Sequence, residues 1–180
     1  MSAEATLQQW IAQEAAVQDS LRSGAGCGVA RPDQVAGLSG LDTLQAMLRG
    51  ELPYPPIART LSFQLVEVSH GRAVFQGTPG VDHLNPMRSV HGGWYATLLD
   101  SALGCAVHTM MPPGRGYTTA ELHVNLVKSI PLDIQRVRAE ANVLHCGRQL
   151  ATAEARLVGP DGTLYAHGTT TCLVFDRKPS

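Results

Sequence analysis

The sequence lacks any close pair of cysteines: Cys27, Cys105, Cys146 and Cys172 lie far apart, with no CxxC among them. That spacing suits neither a zinc centre nor a disulfide framework, and it places the chain in a reducing compartment, the cytoplasm. An excess of either charge is also missing. The 14 Lys and Arg nearly cancel the 15 Asp and Glu and form neither a basic stripe nor an acidic tail, so nucleic-acid binding has no electrostatic footprint. No basic stretch precedes the apolar residues of MSAEATLQQWIAQEAAVQDSLRSG, which argues against a secretory signal. The only long apolar stretch, residues 94–111, is broken by Asp100 and His108 and rich in small residues, so it reads as a buried core helix and no membrane association is expected. Three further absences narrow the chemistry. No serine sits in a G-x-S-x-G elbow, strands do not alternate with helices as in a doubly wound parallel sheet, and no internal repeat is visible. The histidines at 83, 108, 123, 145 and 167 have no metal-ligand spacing, so no metal is expected.

What is present fits one ordinary domain with an extension. Residues 3–22 carry Leu7, Trp10, Ile11, Ala15 and Leu21 much as one face of a surface helix would. A shorter helix near 41–50 follows, with Asp42 as N-cap and Gly50 as its stop. PYPP at 53–56 interrupts helix and opens the main domain, so residues 1–50 form a helical extension and residues 51–180 the domain proper. There the periodicity changes. LSFQLVEV, a turn at SHGR and AVFQGTP make a hairpin; an apolar helix then runs from about Gly92 to Met110 and ends at PPGRG. Four segments with period two close the chain: TTAELHVNLVKSI, IQRVRAEANVLH, QLATAEARLVG and TLYAHGTTTCLVF. In the first, Ala120, Leu122, Val124 and Leu126 face one way and Thr119, Glu121, His123 and Asn125 the other. HCGRQ and GPDGT are tight hairpin signals. The expected fold is α+β: six antiparallel strands, the last four in a meander, curved around one long central helix. Because that helix is apolar nearly all round, the sheet must wrap it or a second subunit must cover what the sheet leaves bare.

One acid stands out. Between Arg88 and Arg115 the only formally charged side chain is Asp100, in the middle of the apolar helix. A buried carboxylate must be paired, hydrogen-bonded, neutral or at a wet cleft. Bonding to Ser101 or Thr97 would be its structural explanation; a reacting group is the functional one. His91-Gly92-Gly93 at the helix start bears on the choice. Backbone N–H groups of a first helical turn lack internal partners, and glycine lets a ligand approach them, so Gly92 and Gly93 suit a polarised carbonyl or an oxyanion. Asp100 lies roughly 12 Å along the axis from Gly92 at 1.5 Å per residue, too far for both to touch one carbon. If the two act together, two copies must pack with these helices antiparallel, giving two composite sites per dimer.

The stretch HLNPMRSVHGGWYATLLDSALGCAVHTMMPPGRGYTTAELHVNLVKSIP resembles the core motif of the PaaI-type hotdog-fold thioesterases, relatives of the 4-hydroxybenzoyl-coenzyme A thioesterases. The likeness spans roughly residues 52–175 and is densest over 83–131. It implies hydrolysis of an acyl-coenzyme A thioester in a dimer-interface cleft, in a homodimer and usually a homotetramer of two dimers. No cofactor is implied, since coenzyme A is part of the substrate. By position, Asp100 matches the catalytic carboxylate, as nucleophile or as general base for water, and Gly92 the residue whose N–H polarises the carbonyl. His91 and Asn85 match positions that place the substrate, leaving thiolate or lytic water. Thr119 falls where relatives have a hydroxyl that orients water, with Thr118 as the register alternative. The chain departs from the pattern at Arg88, where glycine is common, and at Lys128-Ser129, where Arg-Pro is common; both cations are candidates for a coenzyme A phosphate, and exposed solubilising roles suit them equally. Cys105 reads as a packing residue. The alternatives are a non-catalytic acyl-coenzyme A binding module and a hotdog-fold enoyl-coenzyme A hydratase or dehydratase.

Overall fold

Six antiparallel strands make one sheet wrapped around a single long helix. The computed structural model describes residues 2–177; Met1 and residues 178–180, the outer ends of the two expected segments, lie outside the described residues. The strands are β1 (Phe63–Ser69), β2 (Arg72–Gly77), β3 (Arg115–Leu126), β4 (Val137–Cys146), β5 (Leu150–Val158) and β6 (Leu164–Asp176), in the spatial order β1-β2-β4-β5-β6-β3. This corrects the expected four-strand meander. Only β4, β5 and β6 follow one another; β3 pairs with β6 and β4 with β2. The segment between β3 and β4, residues 127–136 with Pro131 inside it, is too long for a hairpin and carries the chain across to the other end of the sheet. β3 is therefore left at an edge.

The helix α5 (Gly92–His108) lies on the concave face. Its Leu98, Leu99, Leu103 and Val107 are fully buried, and the sheet opposite them is floored by Ala139, Ala141, Ala151, Ala153 and Ala155. Methyl-sized side chains on the sheet let a leucine-rich helix approach closely without voids, which is how a pattern rich in alanine still makes a dense core. A bulge at Ala120 shifts the β3 register between Thr119 and Glu121. Strict alternation would set Thr119 on the face opposite Leu122, Val124 and Leu126; the extra residue returns it to their side, the concave one, across from Cys172.

The first sixty residues fold onto this core as α1 (Ala3–Ser23), α2 (Pro32–Val35), α3 (Gly40–Leu48) and α4 (Pro56–Thr60). The first half of α1 lies on the convex face over β1, β2 and β4, where polar groups join the buried Leu7 and Trp10, and its second half passes the β1 edge toward α3. Buried Glu14 accepts from Gln76 at 3.0 Å and pairs with Arg136. Arg138 donates to Gln76 at 2.7 Å and to Gln13 at 2.8 Å, with its guanidinium 4.5 Å from the Trp10 ring centroid. Glu14, Arg136 and Arg138 thus each have a partner, as burial requires. α3 begins at Ser39, whose hydroxyl accepts from Asp42 N–H, so Ser39 and not Asp42 is the N-cap; Asp42 completes the capping box from the third position. Gly50, at φ 74°, does stop this helix. α3 covers the end of α5 that the sheet leaves bare. Gly40 N–H donates to Met111 C=O at 2.8 Å, and a Cβ at Gly40 would collide with the His108 carbonyl. No helix among the described residues is long and apolar enough to cross a membrane.

Candidate active site

The site is assembled from the loop before α5, the first turns of that helix, and β3. The loop is tied by its own side chains. Buried His83 stacks on Trp94 at 5.6 Å, its Nδ1 accepts from Gly80 N–H, and its carbonyl accepts from His91 N–H at 2.8 Å. The sequence pattern passed over His83, which here fixes where α5 begins. Asn85 Oδ1 accepts from the N–H groups of Met87 at 2.9 Å and Ser89 at 3.2 Å, and its Nδ2 donates to Ser89 Oγ. Its amide is thus committed to shaping the turn. Arg88, inside that turn and exposed, has φ 62°, the left-handed conformation that glycine adopts without a Cβ conflict. The departure from glycine noted in the sequence carries a backbone cost. Arg88→Gly is expected to raise stability by about 0.5–1 kcal/mol in urea unfolding, the relief of strain exceeding the added freedom of the unfolded chain. A loss of stability would mean that the arginine side chain makes compensating contacts.

At the helix start the two glycines differ. His91 is the N-cap, and its Nδ1 accepts from Gly93 N–H at 2.8 Å. Gly93 N–H is therefore taken, and its expected contact with a ligand is not open to it. Gly92 N–H donates to no protein group among the described residues. It is the unpartnered donor at the positive end of α5. A Cβ on Gly92 would come within 2.9 Å of Leu126 Cδ1, at the far end of β3.

Asp100 sits further along the same helix, half-buried, and accepts a hydrogen bond from Thr119 Oγ1 at 3.2 Å. The hydroxyls of Thr97 and Ser101, its local alternatives, instead bond back to the carbonyls of Gly93 and Thr97, each at 2.8 Å. Thr118 pairs across from Leu173 on the convex side, so of the two threonines only Thr119 reaches the carboxylate. Nearby Cys105 is not a nucleophile: burial, reinforced by the Asp100 charge, pushes its thiol up to about 12. Burial also holds Tyr117 protonated, well above the usual phenol range. Lys128 is exposed beyond β3, and its backbone N–H donates to Tyr165 C=O at 3.1 Å.

The pairs Gly92–Leu126 and Asp100–Thr119 show that α5 and β3 run in opposite directions along one open stripe. On it Leu122 is 37% and Leu126 56% exposed although both face the concave side. Within one chain, the free N–H and the carboxylate stay eight residues apart on a rigid helix. No cluster of three metal-ligating side chains occurs among the described residues.

Comparison with known proteins agrees with this architecture. A family model described as the thioesterase superfamily matches residues 87–166. A solved protein of the thioesterase superfamily is 32% identical, over 66% of this chain and 88% of that one, with a TM-score of 0.56. A phenylacetic acid degradation-related protein from Ralstonia eutropha is 27% identical over 72% of this chain and 98% of its own, with a TM-score of 0.66. A variant of the phenylacetic acid degradation protein PaaI from Thermus thermophilus is 27% identical over 66% and 97%, with a TM-score of 0.59. No curated protein matches. On these likenesses, with the sheet and helix described above, the chain belongs to the thioesterase superfamily as a PaaI-like member with the hotdog fold.

Proposed function

We propose that this protein hydrolyses acyl-coenzyme A thioesters at two composite sites in a homodimer. The observation that carries this reading is the pairing of an unpartnered Gly92 N–H with a Thr119-bound Asp100 along one uncovered stripe of α5 and β3. The exposed Leu122 and Leu126, together with the open backbone edge of β3, are surfaces that a second copy would cover. A two-fold axis near the middle of that edge would bring Asp100 of one protomer toward Gly92 of its partner.

In each site the Gly92 N–H polarises the thioester carbonyl as its oxygen gains charge. Asp100 either attacks the carbonyl carbon, expelling the thiolate to leave a mixed anhydride that water hydrolyses to the free acid and the Asp100 carboxylate, or takes a proton from water as the water oxygen attacks. In the second route the C–S bond of the tetrahedral intermediate breaks, the sulfur leaves as thiolate, and the proton held by Asp100 passes to it, yielding free acid and coenzyme A. Thr119 orients the carboxylate; His91 and Asn85 act as positioning residues that hold the helix start and its loop. Arg88 and Lys128 are the cations proposed to meet coenzyme A phosphates. The apolar Leu150, Leu173 and Phe175 on the convex side of β5 and β6 offer a surface for joining two dimers as a tetramer. A colorimetric assay of free thiol across an acyl-coenzyme A panel tests the proposal. Turnover with at least one acyl group is expected. Ligands that raise Tm without releasing thiol would make the protein a binding module, and addition of water across an enoyl double bond would make it a hydratase.

A further inference from the structure

The N-terminal extension encloses space that the catalytic reading does not use. A cavity of about 550 Å3 opens between α1, α4 and the start of β1, and a second of about 280 Å3 lies deeper, between α1, α3 and the C-terminal half of α5. Leu21, Tyr54, Ala58 and Gln64 line both, so the two adjoin. Their chemistry differs from mouth to interior. At the mouth three guanidiniums, Arg22, Arg59 and Arg136, face a single carboxylate, Glu14. Arg136 is paired with Glu14 and Arg22 with Asp19, whereas Arg59 forms no ion pair among the described residues. The interior is walled by Leu44, Met47, Leu48, Leu65 and Phe75 and ends at Cys105, His108, Tyr117 and Arg177. Burial, with the Arg177 charge adding to it, lowers His108 to about 4, so the imidazole there is neutral near pH 7.

A cationic rim leading to an apolar chamber selects an anion with an aliphatic tail. We propose that these cavities form one binding site for an aliphatic monocarboxylate of about eight carbons, with its carboxylate at Arg59 and its tail along Met47 and Leu65. Neither Asp100, Gly92 nor Thr119 lines this site, although Cys105 and Tyr117 at its inner end belong to the same helix and strand, and the proposal stands whether or not the protein is a hydrolase. An aliphatic acid is also what hydrolysis of an aliphatic acyl thioester releases, which would give such a protein a means of sensing its product.

Titration calorimetry of the full chain with octanoate and with octanol tests this. Octanoate is expected to bind saturably and about tenfold more tightly than octanol, whose tail is the same but whose head is uncharged. Arg59→Glu, on an exposed side chain, should weaken octanoate about tenfold and leave octanol unchanged, and Met47→Trp should abolish both by filling the chamber. Asp100→Asn should bind octanoate as the unmodified chain does. Equal affinity for acid and alcohol, indifference to Arg59→Glu, or no saturable heat at millimolar octanoate would overturn the proposal. Loss of octanoate binding in Asp100→Asn would move the ligand to the catalytic stripe and overturn it equally.

Discussion

Asp100→Asn is expected to lower the turnover of acyl-coenzyme A by about a hundredfold to ten-thousandfold, the range over which a positioned base acts. The substitution suits the question because asparagine has the same shape. Its Oδ1 can still accept from Thr119, so the local hydrogen bond at 3.2 Å need not be lost, and the packing of α5 is untouched. What disappears is the ability to accept a proton or to attack a carbonyl. The loss should therefore fall on kcat, with KM changed only a few-fold, and the variant should elute at the same size and melt near the same temperature. Turnover close to that of the unmodified chain would remove Asp100 from the chemistry. Thr119→Val, which deletes only the hydroxyl that orients the carboxylate, should be the milder change.

Gly92→Pro is expected to lower kcat by about a hundredfold to a thousandfold, the cost of deleting one donor to a developing oxyanion. Proline is the apt replacement because the first helical position tolerates it. Its missing N–H is one that the helix never uses, and the preceding residue, His91, already has the extended conformation that proline demands, at φ −64° and ψ 135°. Gly92→Ala is the control: it adds the same Cβ against Leu126 but keeps the N–H, so a steric effect would appear in both variants. The two variants also test the dimer. In a mixture of Asp100→Asn and Gly92→Pro chains, each mixed dimer would hold one intact site, built from the carboxylate of one chain and the N–H of the other. Random pairing should restore about a quarter of the unmodified activity. Sites contained within single chains would restore none.

Much of this arrangement was legible in the sequence, because the signals involved are local. The apolar run from 94 onward, the HGG before it and the lone acid within it placed α5, the open N–H at its start and the carboxylate midway along it. The glycine-bearing turns placed the hairpins around β5. What the sequence hid depends on contacts between distant segments. Nothing in the alternation of TTAELHVNLVKSI says that its partner is β6 and not β4, since neighbouring strands usually pair and only the length of residues 127–136 hints otherwise. The role of the first sixty residues was equally hidden. Glu14, Gln76, Arg136 and Arg138 come from three separate parts of the chain, and none of them alone signals a buried network. The pattern HGG gives both glycines a free first-turn N–H, and only the folded position of the His91 ring takes up that of Gly93.

The bulge at Ala120 means that the face Thr119 presents depends on how one extra residue is accommodated. Were Ala120 drawn into regular pairing, with Leu122, Val124 and Leu126 still against the helix, Thr119 would turn to the outer surface and release Asp100. A chain lacking that alanine would instead join Thr119 directly to Glu121, keep the rungs with Cys172 and Thr171, and hold its hydroxyl inward. Relatives with and without the bulge would therefore carry the inward hydroxyl at positions one apart, and an alignment without a gap here would pair residues that lie on opposite sides of the sheet.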